Sequence, residues 1–145
     1  DPEGYAVEFK CDRHVYINAD ELKITQVLYN LINNAIIHTG EGNRVYITQE
    51  ITEQGRNKYV RICITDNGKG ITRENVKSIW DRYYKIDKTY RRAHNGSGLG
   101  LSIVKSILEL HHMEYGVVPV EDMPDKIGCT FWFSAGITKS ENKIK

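Results

Sequence analysis

The sequence predicts an α+β protein built as a two-layer α/β sandwich, a mixed sheet packed on about three helices. Two amphipathic helical segments, near residues 21–37 and 99–111, each carry apolar residues at a period suited to one buried face. Two β-rich runs, 44–52 and 58–65, stand side by side with a short polar turn between them. Strands and helices alternate along the chain, so helices can cover one face of the sheet while strands pair within it. A chain of 145 residues suits one core. We place the domain at residues 1–137 and a polar tail at 138–145.

In order, residues 7–9 and 15–17 read as short strands separated by a polar turn. Asp20 is a helix N-cap, but Lys23 stands where a full capping box has Glu or Gln. The helix that follows buries Ile24, Val27, Leu28, Leu31, Ile32, Ala35 and Ile36. Turn residues at 39–43 end it, and the hairpin comes next, its loop placed at 53–57. The second strand of the hairpin stops abruptly at Asp66-Asn67-Gly68-Lys69-Gly70. A short helix is expected at about 73–79, capped by Thr72. Residues 85–97, rich in Lys, Arg and His, read as a mobile surface loop. The last helix follows, and strands near 115–120 and 129–134 close the domain.

Twenty basic and 19 acidic side chains leave a net charge of +1, which gives no support for a nucleic-acid-binding or polybasic membrane surface. No apolar run approaches the ~20 residues of a membrane span, so no direct membrane contact is expected. The opening at Asp1-Pro2 without Met suggests an excised segment. Cys11, Cys63 and Cys129 are scattered with no C-x-x-C pair, so neither a disulfide framework nor a zinc ribbon is indicated.

Four strings carry chemistry. Asn30 and Asn34 lie one helical turn apart on one face, and amide oxygens are neutral hard ligands for a phosphate-bound Mg²⁺. Solvated helix asparagines are the plainer reading, although Asn is a mediocre helix former. Asp66 at a strand end can accept a hydrogen bond from an exocyclic amine, with Gly68 and Gly70 freeing the backbone to approach a flat ring. A strand-to-helix turn alone explains the same string. Gly96-Ser97-Gly98-Leu99-Gly100-Leu101 opens the last helix and aims backbone N–H groups and the helix dipole outward, which suits a polyphosphate; the alternative is a hinge. Trp80, Asp81, Arg82, Tyr83, Tyr84 and Lys85 precede the basic loop, where aromatic packing is the plain reading and Lys85 reaching a phosphate the chemical one.

The order N-L-x-x-N-A, D-x-G-x-G-I, W-x-x-[FY]-Y-[KR], G-x-G-L-G-L closely resembles the N, G1, F and G2 boxes of sensor histidine kinases. Gly128-Cys129-Thr130-Phe131 is similar to the closing G-T-x-F box. The resemblance runs from about residue 20 to 133 and implies the Bergerat ATP-binding fold, shared with gyrase, heat-shock chaperone and mismatch-repair ATPases. It implies ATP and Mg²⁺ as cofactors. Asn34 would be the Mg²⁺ ligand, with Asn30 helping through water, and Asp66 would take the adenine amine. His38, Gly68, Gly70, Ile71 and Thr130 would line the nucleotide site. Ser97, Gly98, Leu99, Gly100 and Leu101 would cradle phosphates, and Tyr84 and Lys85 would open an ATP lid at about 85–97. The implied catalytic set is Asn30, Asn34 and Lys85.

Two departures stand out. Ile37 occupies the place where the family often has a phosphate-reaching Lys, and His111-His112-Met113 replaces a usual H-G-G. The hydrolytic relatives carry Glu at the position of Asn30, and an amide cannot take a proton as that carboxylate does, which favours transfer to an imidazole over hydrolysis. None of His14, His38, His94, His111 and His112 has the phosphoacceptor context. The resemblance therefore implies partners: the phosphoacceptor and dimerisation helical hairpin of the same parent protein, and the receiver domain of a response regulator. It places the domain in the cytoplasm, on a membrane-anchored parent. A gyrase- or chaperone-type ATPase and a degenerate nucleotide-binding module are the competing readings.

Overall fold

The computed structural model describes residues 6–10, 14–39, 44–81 and 100–138. In chain order these form β1 (Ala6–Lys10), β2 (Tyr16–Ile17), α1 (Glu21–Ile37), β3 (Arg44–Gln54), β4 (Asn57–Asp66), α2 (Gly100–Leu110), β5 (Glu114–Val118) and β6 (Cys129–Thr138). The strands make one six-stranded sheet in the order β1-β3-β4-β6-β2, with β5 also paired to β6. The β1–β3 pair is parallel and the others antiparallel, which makes the sheet mixed, as expected.

The hairpin turn is tighter than the sequence suggested. Gln54 pairs with Asn57, leaving Gly55 and Arg56 as a two-residue turn. Gly55 has φ +62°, a conformation a glycine takes at little cost. Alternation then decides the faces of the sheet. Val45 and Ile47 of β3, Val60 and Ile64 of β4, and Phe131 and Phe133 of β6 all point inward and are buried. Val27, Leu31 and Ala35, four residues apart along α1, and Val104, Ile107 and Leu108 of α2 complete that core. On the opposite face the Arg61 guanidinium lies 3.9 Å from the centre of the Trp132 ring, and Arg61 Nε donates to Ser134 Oγ at 3.3 Å.

The third expected helix is reduced. Within 73–79 only its end is helical, in a 3-10 turn at Ser78–Trp80. Competing attachments hold the segment in turns. The Arg73 N–H donates to Glu121 Oε1 at 2.8 Å, its guanidinium donates to Asp122 Oδ1 at 2.8 Å, and Asn75 N–H bonds Thr72 O at 2.8 Å. Trp80 is buried edge-on against Tyr115 (4.9 Å between ring centres) and Phe131 (5.6 Å), which is the packing role open to it from sequence. At the C-terminal end β6 continues to Thr138, one residue into the expected tail, because Thr138 pairs with Tyr16 and its hydroxyl donates to Tyr16 O.

Candidate functional site

The last residue of β4 is a buried carboxylate. Asp66 has the same parity as Val60 and Ile64, so its side chain turns toward the helical layer, and it is 4% exposed. Gly68 N–H donates to Asp66 Oδ1 at 2.8 Å, the one hydrogen bond this carboxylate receives from the described residues. Burial pushes its pKa up to about 6, and the Gly68 N–H pulls the other way. A buried carboxylate with this little support is an acceptor matched to an incoming amine.

The glycines around it serve the protein's own packing. A Cβ on Gly68 would collide with the backbone carbonyl of His38, at the end of α1. Gly70 has φ +83°, and a Cβ there would lie 2.5 Å from Gly128 O and 2.6 Å from a methyl of Val120. Gly128 has φ +86° and presses its Cα side onto Asp66 O. Hydrogen bonds complete the lacing: Gly128 N–H to Gly68 O at 2.8 Å and Val120 N–H to Ile71 O at 2.7 Å. Ile71 itself is buried in the core. The backbone freedom expected to serve a ring thus first lets three segments of chain close on one another behind Asp66.

Gly100 is different. Nothing described lies within 4 Å of where its Cβ would be, so packing among the described residues does not demand a glycine there. The Asn30 amide reaches it across the helices, Nδ2 donating to Gly100 O at 3.4 Å. Asn34 is half-buried one turn further along α1, and Leu101 packs against the core. Alpha helix α1 therefore touches the Asp66 loop through His38 and the start of α2 through Asn30, with Asn34 between. The two attachments are about 12 Å apart along the helix.

Thr130 faces the other side of the sheet. It pairs with Thr65, the two hydroxyls are 2.8 Å apart, and it also reaches Met123 Sδ at 3.6 Å, all on the sheet face away from Asp66. Cys129 pairs with Asp66 and takes the inward place in its stead. Alternation with inward Phe131 and Phe133 was the signal that predicts it. Burial, and then the neighbouring Asp66 charge, hold its thiol far above the ordinary range. Tyr84, Lys85, Ser97, Gly98, Leu99 and the lid at 85–97 lie outside the described residues. Among the described residues, no group of three or more His, Cys, Asp and Glu is placed to hold a metal ion.

Residues 19–138 match the family described as histidine kinase-, DNA gyrase B- and HSP90-like ATPase. The chain belongs to this family. Within it the chain is the ATP-binding catalytic domain of the sensor-histidine-kinase type. It is 39% identical over 100 residues to sensor histidine kinase WalK of Bacillus subtilis, covering 69% of this chain and 16% of that protein. It is 32% identical over 118 residues to the phosphate regulon sensor protein PhoR of Haemophilus influenzae, covering 81% of this chain and 27% of that one. The chain thus spans a minor part of the curated relatives it matches. Among solved structures, the catalytic domain of histidine kinase ThkA superposes with a TM-score of 0.74 at 27% identity, covering 93% of this chain and 80% of that one. Full-length ShkA in complex with AMPPNP gives 0.75 at 26%, over 96% of this chain and 27% of that one. No helix among the described residues is long and apolar enough to cross a membrane.

Proposed function

We propose that this domain holds ATP with Mg²⁺ and donates the γ-phosphoryl group to a histidine on a separate phosphoacceptor helical hairpin of the same parent, for relay to a response-regulator receiver domain. The observation that carries the nucleotide reading is Asp66, a buried carboxylate with a single described hydrogen bond, in a loop of the ATPase family. Its free acceptor capacity suits the adenine amine. Asn34 supplies an amide oxygen for Mg²⁺, and Asn30, whose Nδ2 is engaged by Gly100 O, keeps its own oxygen for a water of that ion. Bound Mg²⁺ neutralises phosphate charge and orients the γ-phosphoryl group. Gly100, with no described residue within 4 Å of its Cβ position, would receive phosphates at the α2 N-terminus together with Ser97, Gly98 and Leu99 before it in sequence, and Tyr84 and Lys85 would begin the lid.

The choice of acceptor rests on Asn30. It acts as a hydrogen-bond donor to the chain and has no carboxylate with which to deprotonate water. A neutral imidazole needs no such base. Isothermal titration with AMPPNP and Mg²⁺ tests the nucleotide half. Asp66→Ala is expected to weaken binding by about 1.5–3 kcal/mol, the cost of losing a hydrogen bond to a charged group. Equal affinity of wild type and variant would remove Asp66 from the site.

A further inference from the structure

The N-cap of α1 is half built from its own sequence. Asp20 caps Lys23 N–H through Oδ1 at 3.1 Å, but the residue that should return the favour to the Asp20 N–H is Lys23, which has no acceptor. The acceptor comes from the other helix instead. Asp20 N–H donates to His111 Nε2 at 3.1 Å, across 91 residues of sequence. Because Nε2 accepts, the ring hydrogen sits on Nδ1 and donates to Ile107 O at 2.9 Å, which fixes the imidazole on the last turn of α2.

This bond has a counterpart at the opposite end of α2, where Asn30 Nδ2 reaches Gly100 O. The helices therefore run antiparallel, with Asp20 beside His111 and Asn30 beside Gly100, and a side chain-to-backbone bond fastens each end. Between these points the two helices contribute apolar side chains to one core, Val27 from α1 and Val104, Ile107 and Leu108 from α2. Apolar contact is non-directional and resists sliding weakly, whereas two hydrogen bonds fix the axial register.

We propose that His111 is a positioning residue for the phosphate end of the nucleotide site. It completes the cap of α1 and so sets where α2 presents Gly100 to Asn30 and Asn34. The inference rests on the nucleotide reading above. Its signature is selectivity, because Asp66 and the glycine lacing behind it belong to β4, β6 and their loops, not to α2. Loosening α2 weakens the grip on phosphates and leaves adenine recognition in place.

The test titrates the full chain with adenosine and with AMPPNP plus Mg²⁺, for wild type, His111→Ala, and His111→Ala combined with Lys23→Glu. The double variant restores a local capping box and, with it, thermal stability, but not the link between helices. The expected result is a roughly fivefold loss of AMPPNP affinity in both variants, the scale of one hydrogen bond, with adenosine affinity held within roughly twofold. Equal losses for both ligands, or recovery of AMPPNP affinity along with melting temperature in the double variant, would show His111 to be a cap alone and overturn the proposal. A wild-type chain that binds neither ligand would instead overturn the nucleotide reading beneath it.

Discussion

At the scale of single residues, Asp66 carries a pH signature. Its pKa is about 6 in the fold, against about 4 for an exposed Asp, so between those values the native state binds more protons than the unfolded one. Stability contributed at this position is therefore present at low pH and lost as pH rises from about 4 to about 6, by on the order of 3 kcal/mol. Melting wild type and Asp66→Asn at pH 4.5 and 7 checks this. Relative to the variant, wild type should lose stability at the higher pH, and a constant difference would contradict it. An amine donor favours the ionised carboxylate, so ADP affinity should rise over the same interval. Gly68 is the second sensitive residue. Gly68→Ala drives a methyl into the His38 carbonyl, and chemical denaturation should register a loss of about 1–3 kcal/mol from overpacking.

At the scale of elements, α1 joins stability to the proposed site: one face carries Val27, Leu31 and Ala35 into the core, and Asn34 lies between the contact of Asn30 with Gly100 and that of His38 with the Asp66 loop. Leu31, 1% exposed, should cost about 2–5 kcal/mol on truncation to Ala, measured by urea denaturation with binding unchanged per folded molecule. The period of α1 and the hairpin pairing were legible because each depends on local pattern. The helix expected at 73–79 was not, because its propensity lost to Glu121 and Asp122, nearly fifty residues away in sequence. The same holds for His111, whose partner lies on another helix. The faces of Cys129 and Thr130 are legible for a simpler reason: strand parity puts Cys129 opposite Asp66 and Thr130 on the other face. The D-x-G-x-G spelling shows that Gly68 and Gly70 free the backbone, but not that these two and Gly128 are required by chain-on-chain closure, which no single string reveals.

At the scale of the whole molecule, a mixed sheet with helices on one face brings a strand end, a helix face and a helix start together around Asp66, Asn34 and Gly100. The proposed site has a buried acceptor in Asp66 and two helix asparagines, and Asn30 stands where hydrolysis would call for a carboxylate. The reading we propose has this domain give the γ-phosphoryl group of ATP away rather than hydrolyse it. The direct measurement mixes the chain with γ-labelled ATP, Mg²⁺ and the separately produced phosphoacceptor hairpin of its parent, then follows acid-labile, base-stable label on each polypeptide. Label on the hairpin histidine and none on this chain is the predicted result. Release of inorganic phosphate with no labelled hairpin, or stable label on a histidine of this chain alone, would contradict it.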